Sequence, residues 1–292
     1  MDKISIVTPS FNQGDYIEQT IQSVLSQNYP NLEYIIIDGG STDNSLEIIK
    51  KYEKYLTFWR SEKDNGQADA INKGLKYCTG TIFNWLNSDD YLEPGALFVI
   101  ADKFKSGADM VAGKVRIFQD EKTIEIVQHK NLSAESLMFW QNGIKFVQPG
   151  VWLKRDLIEN CGGIDKTFNY CFDWDLYIRY LSIIKKIEYS DSILIHFRYH
   201  SNSKTITQLP KFIEEENIIL EKLSCQKELI SVKKLALRRL SARKWVKHLD
   251  ILKNKSGSKF EKVYSIIQNT NKVNIVFWRT TMGMIRRILF ND

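Results

Sequence analysis

Short apolar runs and amphipathic stretches alternate along the first part of the chain. The runs 4–7 and 33–38 are rich in isoleucine and predict two buried strands. Between them, apolar residues recur at helical spacing over 17–25, and Asp15 with Glu18 at the start of this stretch predicts a capping box. The opening of the chain therefore predicts a strand, a helix and a second strand.

The alternation continues to about residue 200. It predicts helices over 45–52, 67–77, 93–104 and 173–184, and strands over 56–59, 80–86, 109–118, 123–128, 146–153 and 192–199. Strands that alternate with helices indicate an α/β protein with a parallel, doubly wound sheet. Beyond about Gln208 the pattern becomes helical and basic.

Polar or acidic residues follow three of the predicted strands, at 8–12, 38–43 and 87–90. Ligands of α/β proteins bind beyond the carboxyl ends of parallel strands, so these clusters predict one shared site. Asn87-Ser-Asp-Asp90 offers carboxylates to a hard divalent cation, although a polar turn would use the same residue types. The chain lacks Gly-x-Gly-x-x-Gly after the first strand and lacks a P-loop, which argues against a dinucleotide-binding protein and a P-loop NTPase.

The bulk composition fits an ordinary globular protein of one large domain, or one domain plus an appendage. The 292 residues are 43% hydrophobic and 26% charged, and no apolar run is long enough to span a bilayer. The start of the chain reads as a strand rather than a signal peptide, so we expect a cytoplasmic protein. The four cysteines have no paired short spacing, which favours free packed thiols over a zinc or redox site.

Charge is distributed unevenly along the chain. Residues 227–292 carry 16 Lys/Arg against 4 Asp/Glu, a net charge of +12, whereas residues 1–226 carry 25 against 31, a net charge of −6. Basic residues surround Leu237, Leu240, Trp245 and Leu249, which suits amphipathic helices on an anionic membrane surface. The alternative is helices that cap the catalytic body with a solvated basic face. Nucleic acid is not expected as a partner, because no recognition motif accompanies the charge.

Seven short motifs, in order over roughly residues 3–205, resemble family 2 glycosyltransferases with the glycosyltransferase A fold. They are Ile4-Ser-Ile-Val-Thr-Pro-Ser-Phe-Asn12, Ile36-Ile-Asp-Gly-Gly-Ser-Thr-Asp43, Gly66-Gln-Ala-Asp-Ala-Ile-Asn-Lys-Gly74, Leu86-Asn-Ser-Asp-Asp90, Gly162-Gly-Ile-Asp165, Phe172-Asp-Trp-Asp-Leu176 and Phe197-Arg-Tyr-His-Ser-Asn-Ser-Lys-Thr205. The resemblance implies a Rossmann-like mixed sheet flanked by helices over 1–207. Residues 208–292 would then form a helical, basic C-terminal extension.

The resemblance also implies an inverting transfer from a nucleoside-diphosphate sugar, UDP-linked by analogy, with Mn²⁺ or Mg²⁺ neutralising the departing diphosphate. The family's Asp-x-Asp position reads Asn87-Ser88-Asp89, so Asp89 is the expected metal ligand, with His200 from a late loop. Asp38 would accept the N3–H of a uracil ring between Pro9 and Phe11, or would instead cap the next helix. The donor-binding residues implied are Pro9, Phe11, Asp38, Gln67, Asp69, Asn87, Ser88 and Lys204.

An inverting transfer needs a base to take the proton of the acceptor hydroxyl. The family's Glu-Asp pair reads Phe172-Asp173, so Asp173 is the predicted catalytic base. Asp175 is the rival acid, but residues two apart on a helix point in different directions, and Asp175 is expected to form a surface pair with Arg179. Gln148 and Trp152 either line the acceptor side or pack in the core.

The sequence therefore predicts a metal-dependent glycosyltransferase that adds sugar to a hydroxyl of a glycan or lipid-linked acceptor in cell-surface polysaccharide assembly, cytoplasmic or peripheral on the inner membrane face. A sugar-nucleotide pyrophosphorylase would need a first loop with Gly and Arg, and 8–12 has neither. A degenerate glycan-binding or scaffold protein stays open, because Asn87 and Phe172 replace family acids. The retained Asp89 and Asp173 count against it.

Overall fold

The computed structural model describes residues 1–140, 144–200, 208–254, 256, 258–270 and 278–290. The chain divides into two compact units, 1–219 and 220–292. The first unit therefore extends past the boundary predicted at 207. The assignment of the two predicted segments to separate functions stays a prediction.

A single mixed sheet organises the first unit. Its strands, among the described residues, are β1 (Ile4–Ser10), β2 (Leu32–Asp38), β3 (Phe58–Ser61), β4 (Ile82–Trp85), β5 (Tyr91–Leu92), β6 (Met110–Gln119), β7 (Lys122–Val127), β8 (Val151–Lys154) and β9 (Ile187–Arg198). Their order is β3-β2-β1-β4-β8-β6-β9-β5, and β7 pairs with β6.

The direction of the strands changes in the middle of the sheet. β1 pairs in parallel with β2 and β4, and β2 pairs in parallel with β3. β8 is antiparallel to both β4 and β6, whereas β9 runs parallel to β6. The mixed sheet of a glycosyltransferase A fold is therefore confirmed, and a wholly parallel sheet is wrong. The reversal follows from the insertion of β8 between β4 and β6.

Helices cover the sheet. In the first unit they are α1 (Ile17–Leu25), α2 (Ser45–Tyr52), α3 (Gln67–Leu75), α4 (Ala96–Phe104), α5 (Ala134–Phe139), α6 (Asp156–Asn160) and α7 (Phe172–Ile183), and α8 (Leu209–Ser224) crosses the boundary between the units. Aliphatic side chains of β1 and β2 pack against α1 and α4 in a core that includes Trp152. Removal of this apolar surface from water stabilises the fold at about 25 cal/mol per Å².

The predicted capping box of α1 is wrong. Tyr16 occupies the N-cap position and makes no side-chain capping hydrogen bond. Glu18 instead accepts hydrogen bonds from Lys51 Nζ at 2.6 Å and from Tyr52 Oη at 2.8 Å. The side chain of Glu18 therefore links α1 to the end of α2 rather than closing its own first turn.

The second unit contains α9 (Ile230–Lys253), α10 (Lys259–Thr270) and α11 (Trp278–Phe290). Apolar residues of all three helices form a common core: Trp245, Leu249, Leu252, Ile266, Met284 and Ile288. Trp245 Nε1 also donates to Thr281 Oγ1 at 2.9 Å. Trp245 and Leu249 are buried between helices and are therefore not available to a membrane surface, and contact of 227–292 with a membrane stays a prediction. No described helix is both long and apolar enough to cross a bilayer.

Candidate active site

The loop after β2 is organised by Asp38. This side chain is fully buried, and its Oδ2 accepts hydrogen bonds from the backbone N–H groups of Gly40 and Ser41 and from Ser61 Oγ, at 2.7 to 3.0 Å. Its Oδ1 accepts from Ser41 Oγ at 2.5 Å. A carboxylate oxygen can accept more than one hydrogen bond, so Oδ1 keeps capacity for a further donor. The contact of Asp38 with a uracil ring stays a prediction.

Gln67 and Asn87, both predicted to bind the nucleotide sugar, lie in contact where α3 begins and β4 ends. Gln67 Nε2 donates to Asn87 Oδ1 at 2.7 Å, and Asn87 Nδ2 donates to Asp90 Oδ2 at 3.2 Å. Ser88 is buried, and its carbonyl accepts from Thr20 Oγ1 at 2.9 Å. The amide that replaces the family acid at 87 therefore orients its neighbours through both its donor and its acceptor, which a carboxylate could not do.

The two predicted metal ligands lie together. Asp89 Oδ2 and His200 Nε2 are 3.1 Å apart, and both side chains are partly accessible, at 24% and 15% exposure. The ring of Tyr16 lies 5.2 Å from that of His200, centroid to centroid. Arg198 binds the same loop, because its Nε donates to the carbonyl of Asp89 at 3.1 Å.

Asp90 is much less accessible to solvent than Asp89. It is buried, and its Oδ1 accepts the backbone N–H of Arg198 at 3.0 Å. Burial, together with the negative charge of Asp89, raises the pKa of Asp90 well above its usual range. Asp90 therefore ties β9 to the loop after β4, and Asp89 is the acid available to a ligand.

The pair Asp89 and His200 fits a divalent cation as far as its donor set goes. A carboxylate oxygen and an imidazole nitrogen suit Mn²⁺, and a cation bound with diphosphate commonly has few protein ligands and takes phosphate and water oxygens as the rest. No cluster of three or more His, Cys, Asp or Glu side chains suited to a metal occurs among the described residues. A cation here would therefore depend on the donor diphosphate for its remaining ligands.

Asp173 lies in the first turn of α7, directly after Phe172, whose ring packs against Trp85 at the end of β4. The ring centroids of Trp85 and Phe172 are 6.0 Å apart. Burial raises the pKa of Asp173 to about 6, against a hydrogen bond from the N–H of Trp174 that lowers it. A carboxylate with this pKa can accept a proton near neutral pH more effectively than an ordinary aspartate.

Asp175 points away into the protein and pairs with Arg179, as predicted from their spacing. Its Oδ2 accepts from Arg179 Nε at 3.1 Å and from Nη2 at 2.5 Å. The prediction that this pair lies at the surface is wrong, because Asp175 is fully buried and Arg179 is 3% exposed. The guanidinium also donates to the carbonyls of Cys161 and Gly163, at 2.5 and 2.9 Å. These two carbonyls accept hydrogen bonds from the N–H groups of Arg179, which helps to offset the cost of burying the charged pair.

The remaining predicted residues are spread around the same end of the sheet. Pro9 is buried in β1, and Phe11 is 58% exposed just after it. Asp69 on α3 is largely buried. Burial opposes its ionisation, but the N–H of Asn65 and the charge of Lys73 outweigh this and lower its pKa. Lys204 lies outside the described residues.

Gln148 and Trp152 pack inside the protein rather than on an acceptor surface. Gln148 Nε2 donates to Asn84 Oδ1 at 2.9 Å and to the carbonyl of Trp85 at 3.1 Å. Trp152 is 1% exposed in the main core. Of the two interpretations that the sequence left open, core packing is confirmed for both residues.

A groove of about 680 Å³ lies elsewhere in the first unit. The start of α4 and the strands β6, β7 and β9 line it, with Glu93, Lys114, Ile126, Gln128, Asp191 and Ile193 among its residues. None of the predicted donor, metal or base residues belongs to its lining. The site assembled from the sequence motifs is therefore a different surface.

Sequence reasoning missed two residues that shape the site. Both lie inside quoted motifs, but Arg198 was given no role, and Asp90 was considered only as one of the carboxylates that could hold a cation. Arg198 lies between the rings of Tyr16 and Phe118, with its guanidinium carbon 5.1 and 4.7 Å from their centroids, and also donates to Gln19. An arginine directly before Tyr-His in a strand was the available signal, but its partners come from distant parts of the sequence.

Comparison with known proteins identifies the family. The sequence profile of Glycosyl transferase family 2 matches residues 5–164, more than half of the chain. An uncharacterized glycosyltransferase of Rickettsia typhi is 27% identical over 246 residues, which cover 79% of this chain and 75% of that protein. The poly(ribitol-phosphate) β-N-acetylglucosaminyltransferase TarP of Staphylococcus aureus is 38% identical over 120 residues, 39% of this chain and 37% of TarP. The chain belongs to glycosyltransferase family 2, and the protein is a glycosyltransferase.

Solved structures agree on the fold. S. aureus TarS 1–349 in complex with UDP-GlcNAc superposes with a TM-score of 0.64 at 17% identity, over 82% of this chain and 71% of that one. The mannosyltransferase PcManGT of Pyrobaculum calidifontis, in complex with GDP-Man and Mn²⁺, gives a TM-score of 0.59 at 14% identity, over 100% and 88% of the two chains. At these identities the likeness concerns the fold alone.

Proposed function

We propose that this glycosyltransferase moves a sugar from a UDP-linked donor to a hydroxyl of a cell-surface glycan or lipid-linked acceptor, with inversion and with a divalent cation. The observation that carries the proposal is the contact between Asp89 and His200, 3.1 Å apart at the end of β4. The names of similar proteins support the substrate class: TarP is a poly(ribitol-phosphate) β-N-acetylglucosaminyltransferase, a similar protein of Escherichia coli is a chondroitin synthase, and TarS was solved in complex with UDP-GlcNAc.

Each residue has a defined task in this mechanism. Asp89 and His200 would hold the cation, which when bound neutralises the charge of the leaving diphosphate as a Lewis acid. Asn87 and Gln67, joined by a 2.7 Å hydrogen bond, present polar groups to the nucleotide sugar. Asp173 accepts the proton of the attacking hydroxyl, for which a pKa of about 6 is well suited.

Calorimetric titration with UDP, in the presence and absence of Mn²⁺, tests the metal assignment. Asp89→Ala should abolish the gain in UDP affinity that Mn²⁺ gives the wild type, and should leave thermal stability unchanged because Asp89 lies in a loop. Asp102→Ala is the matched control, since Asp102 is an exposed acid on α4 whose partner, Lys105, is also exposed. Retention of the full Mn²⁺-dependent gain by Asp89→Ala would refute the assignment of Asp89.

We also propose that the second unit contacts an anionic membrane surface. Its net charge of +12 over 227–292 supports this, and so does an apolar stripe on α10. Phe260, Tyr264 and Ile267, spaced four and three residues apart, are 83%, 64% and 49% exposed. An amphipathic helix of this kind binds lipid through its apolar stripe, and nearby Lys and Arg side chains add attraction to anionic headgroups.

A further inference from the structure

One carboxylate of the first unit lies against the loop that leads into α7. Glu215 of α8 accepts three backbone N–H groups there: Asn169 donates to Oε1 at 2.7 Å, and Tyr170 and Cys171 donate to Oε2 at 2.7 and 2.9 Å. These N–H groups come just before the first turn of α7, where intrahelical partners are lacking. A charged acceptor forms stronger hydrogen bonds than a neutral one, so Glu215 fixes the position of residues 169–171.

Other contacts hold the same loop on α8. The rings of Tyr170 and Phe212 meet edge to face, with centroids 5.3 Å apart, and Lys211 Nζ lies 5.5 Å from the centroid of Tyr170. Cys171 Sγ donates to the carbonyl of Phe212 at 3.4 Å. The part of α8 within the first unit is therefore a support for the start of α7.

The loop also reaches the donor side of the site. A Cβ at Gly66 would lie 2.7 Å from Asn169 Oδ1, so the Asn169 side chain lies close to the backbone of Gly66, and Gly66 has a φ of +108° that suits glycine. The next residue, Gln67, is hydrogen-bonded to Asn87. A single chain of contacts therefore runs from Glu215 through Asn169 to the residues proposed to bind the nucleotide sugar.

We propose that Glu215 is a positioning residue for Asp173: it fixes the start of α7 and places a negative charge beside the base. The proposal rests on the proposed function for its catalytic consequence, although its structural and electrostatic parts do not. Burial is the main cause of the raised pKa of Asp173, and the charge of Glu215 raises that pKa further. Removal of the charge should make Asp173 a stronger acid.

The other charged groups near the start of α7 are accounted for. Asp175 and Arg179 neutralise each other in the interior. Tyr177, on the same helix, stays a neutral phenol because burial raises its pKa. On the packed helices, α5 contributes Glu135, which is partly buried, and the acids of α6, Asp156 and Glu159, are exposed to solvent. On α8, Lys211 lies against the ring of Tyr170 and Glu214 is exposed, and the charge of Glu215 raises the pKa of Asp173.

A direct test follows the titration of Asp173 by NMR, with ¹³C at the aspartate side-chain carboxyl carbon and Asp173→Asn to assign the signal. Glu215→Gln removes the charge and one of the two acceptor oxygens. Its Asp173 should titrate at lower pH than in the wild type, and the amides of 169–171 should exchange faster. Glu214→Gln is the matched control, since it makes the same charge change at an exposed neighbour and should alter neither property.

Glu215→Asp separates the charge from the position. It keeps the charge but shortens the side chain by one methylene, so the pKa of Asp173 should stay raised while the exchange at 169–171 increases. This variant keeps the proposal testable if Glu215→Gln does not fold. If Glu215 had only a structural role, both variants would show faster amide exchange at 169–171, but the titration of Asp173 would not move in Glu215→Gln.

Hydrolysis of UDP-GlcNAc as a probe donor gives the catalytic readout. Glu215→Gln should lower kcat about tenfold or more with the donor KM within about twofold, because a displaced base costs rate rather than binding. A folded Glu215→Gln with an unmoved Asp173 titration overturns the proposal. A shifted titration beside unchanged kcat overturns only the role of Asp173 as base, so the two failures are distinguishable.

Discussion

The two acids of α7 predict opposite responses to the same substitution. Asp175 is fully buried and paired with Arg179, whereas Asp173 is partly accessible and ionises against the cost of burial. Asp175→Asn removes a charge that Arg179 requires, and Asp173→Asn removes a charge that the fold does not favour. Each variant replaces one oxygen by an NH₂ group of almost the same size, so differences in packing volume contribute little.

The expected loss for Asp175→Asn follows from its contacts. Breaking a buried ion pair by removing one partner typically costs about 3–5 kcal/mol. The carbonyls of Cys161 and Gly163 still accept from Arg179, which favours the low end, about 3 kcal/mol. Asp175 Oδ1 has no hydrogen-bond partner among the described residues, so an amide nitrogen in that place would have no acceptor. At about 2–4 °C per kcal/mol, we expect Tm to fall by about 6–12 °C.

Asp173→Asn should be neutral or stabilising at neutral pH. The folded-state pKa of about 6 exceeds the unfolded value, so the wild type binds this proton more tightly when folded. Tighter proton binding by the folded state adds to the free energy of unfolding. This contribution is fully present below about pH 4, and it is lost as the pH rises through about 6. The difference between the folded and unfolded pKa values corresponds to at most about 3 kcal/mol of unfolding free energy. We expect about 2 kcal/mol, because the Asp173 side chain is partly accessible to solvent.

Thermal unfolding of both variants beside the wild type, at neutral pH and near pH 4, checks these magnitudes. The advantage of Asp173→Asn over the wild type should shrink at the lower pH, while the loss in Asp175→Asn persists. A Tm for Asp175→Asn within about 2 °C of the wild type would show that the ion pair contributes little. A loss for Asp173→Asn larger than that for Asp175→Asn would reverse the assignment of structural and chemical roles.

Two further results follow from the site and from the second unit. The rate of UDP-sugar turnover should rise with pH through the pKa of Asp173, about 6, because only the ionised carboxylate accepts a proton, and a profile that is flat from about pH 5 to 7 would contradict Asp173 as base. The double variant Phe260→Ser, Tyr264→Ser should reduce salt-sensitive co-sedimentation with phosphatidylcholine–phosphatidylglycerol vesicles, whereas Ile124→Ser on exposed β7 should not. Equal binding by the wild type, the double variant and Ile124→Ser would contradict lipid binding by the apolar stripe of α10.

Periodicity predicted most of the fold because the central elements are regular and strongly amphipathic. β2 and α2 occupy almost the residues expected, and the hairpin of β6 and β7 pairs across a turn as expected. β3 begins two residues later than predicted, and the predicted strand over 146–153 is a helical turn at Gln148–Gly150 followed by β8. Pro149 favours such a turn, but the antiparallel insertion of β8 depends on partners in β4 and β6 that no local pattern reveals.

The site was predictable where its residues lie in one motif and less so where they meet across the fold. Asn87 and Asp89 lie in one short run after β4, as the sequence predicted, and their roles in binding stay predictions. That His200 lies 3.1 Å from Asp89 depends on the antiparallel pairing of β9 with β5, in which Tyr91 faces His196, and these two strands are far apart in the chain. Glu215 belongs to none of the sequence motifs, because its contacts with residues 169–171 arise only in the folded structure.

Acids that lie close together in this sequence differ in burial: Asp90 and Asp175 are buried, whereas Asp89 and Asp173 are partly accessible. Asp90 is buried and joins the loop after β4 to Arg198, so that Asp89 can face His200. Asp175 likewise anchors α7 through Arg179. A motif with two acids therefore need not offer two carboxylates to a ligand. Asp90 fixes the backbone beside Asp89, and Asp175 fixes the helix that contains Asp173. This arrangement explains why substitution of the structural acid would also reduce activity, and why stability must be measured beside turnover to tell the two roles apart.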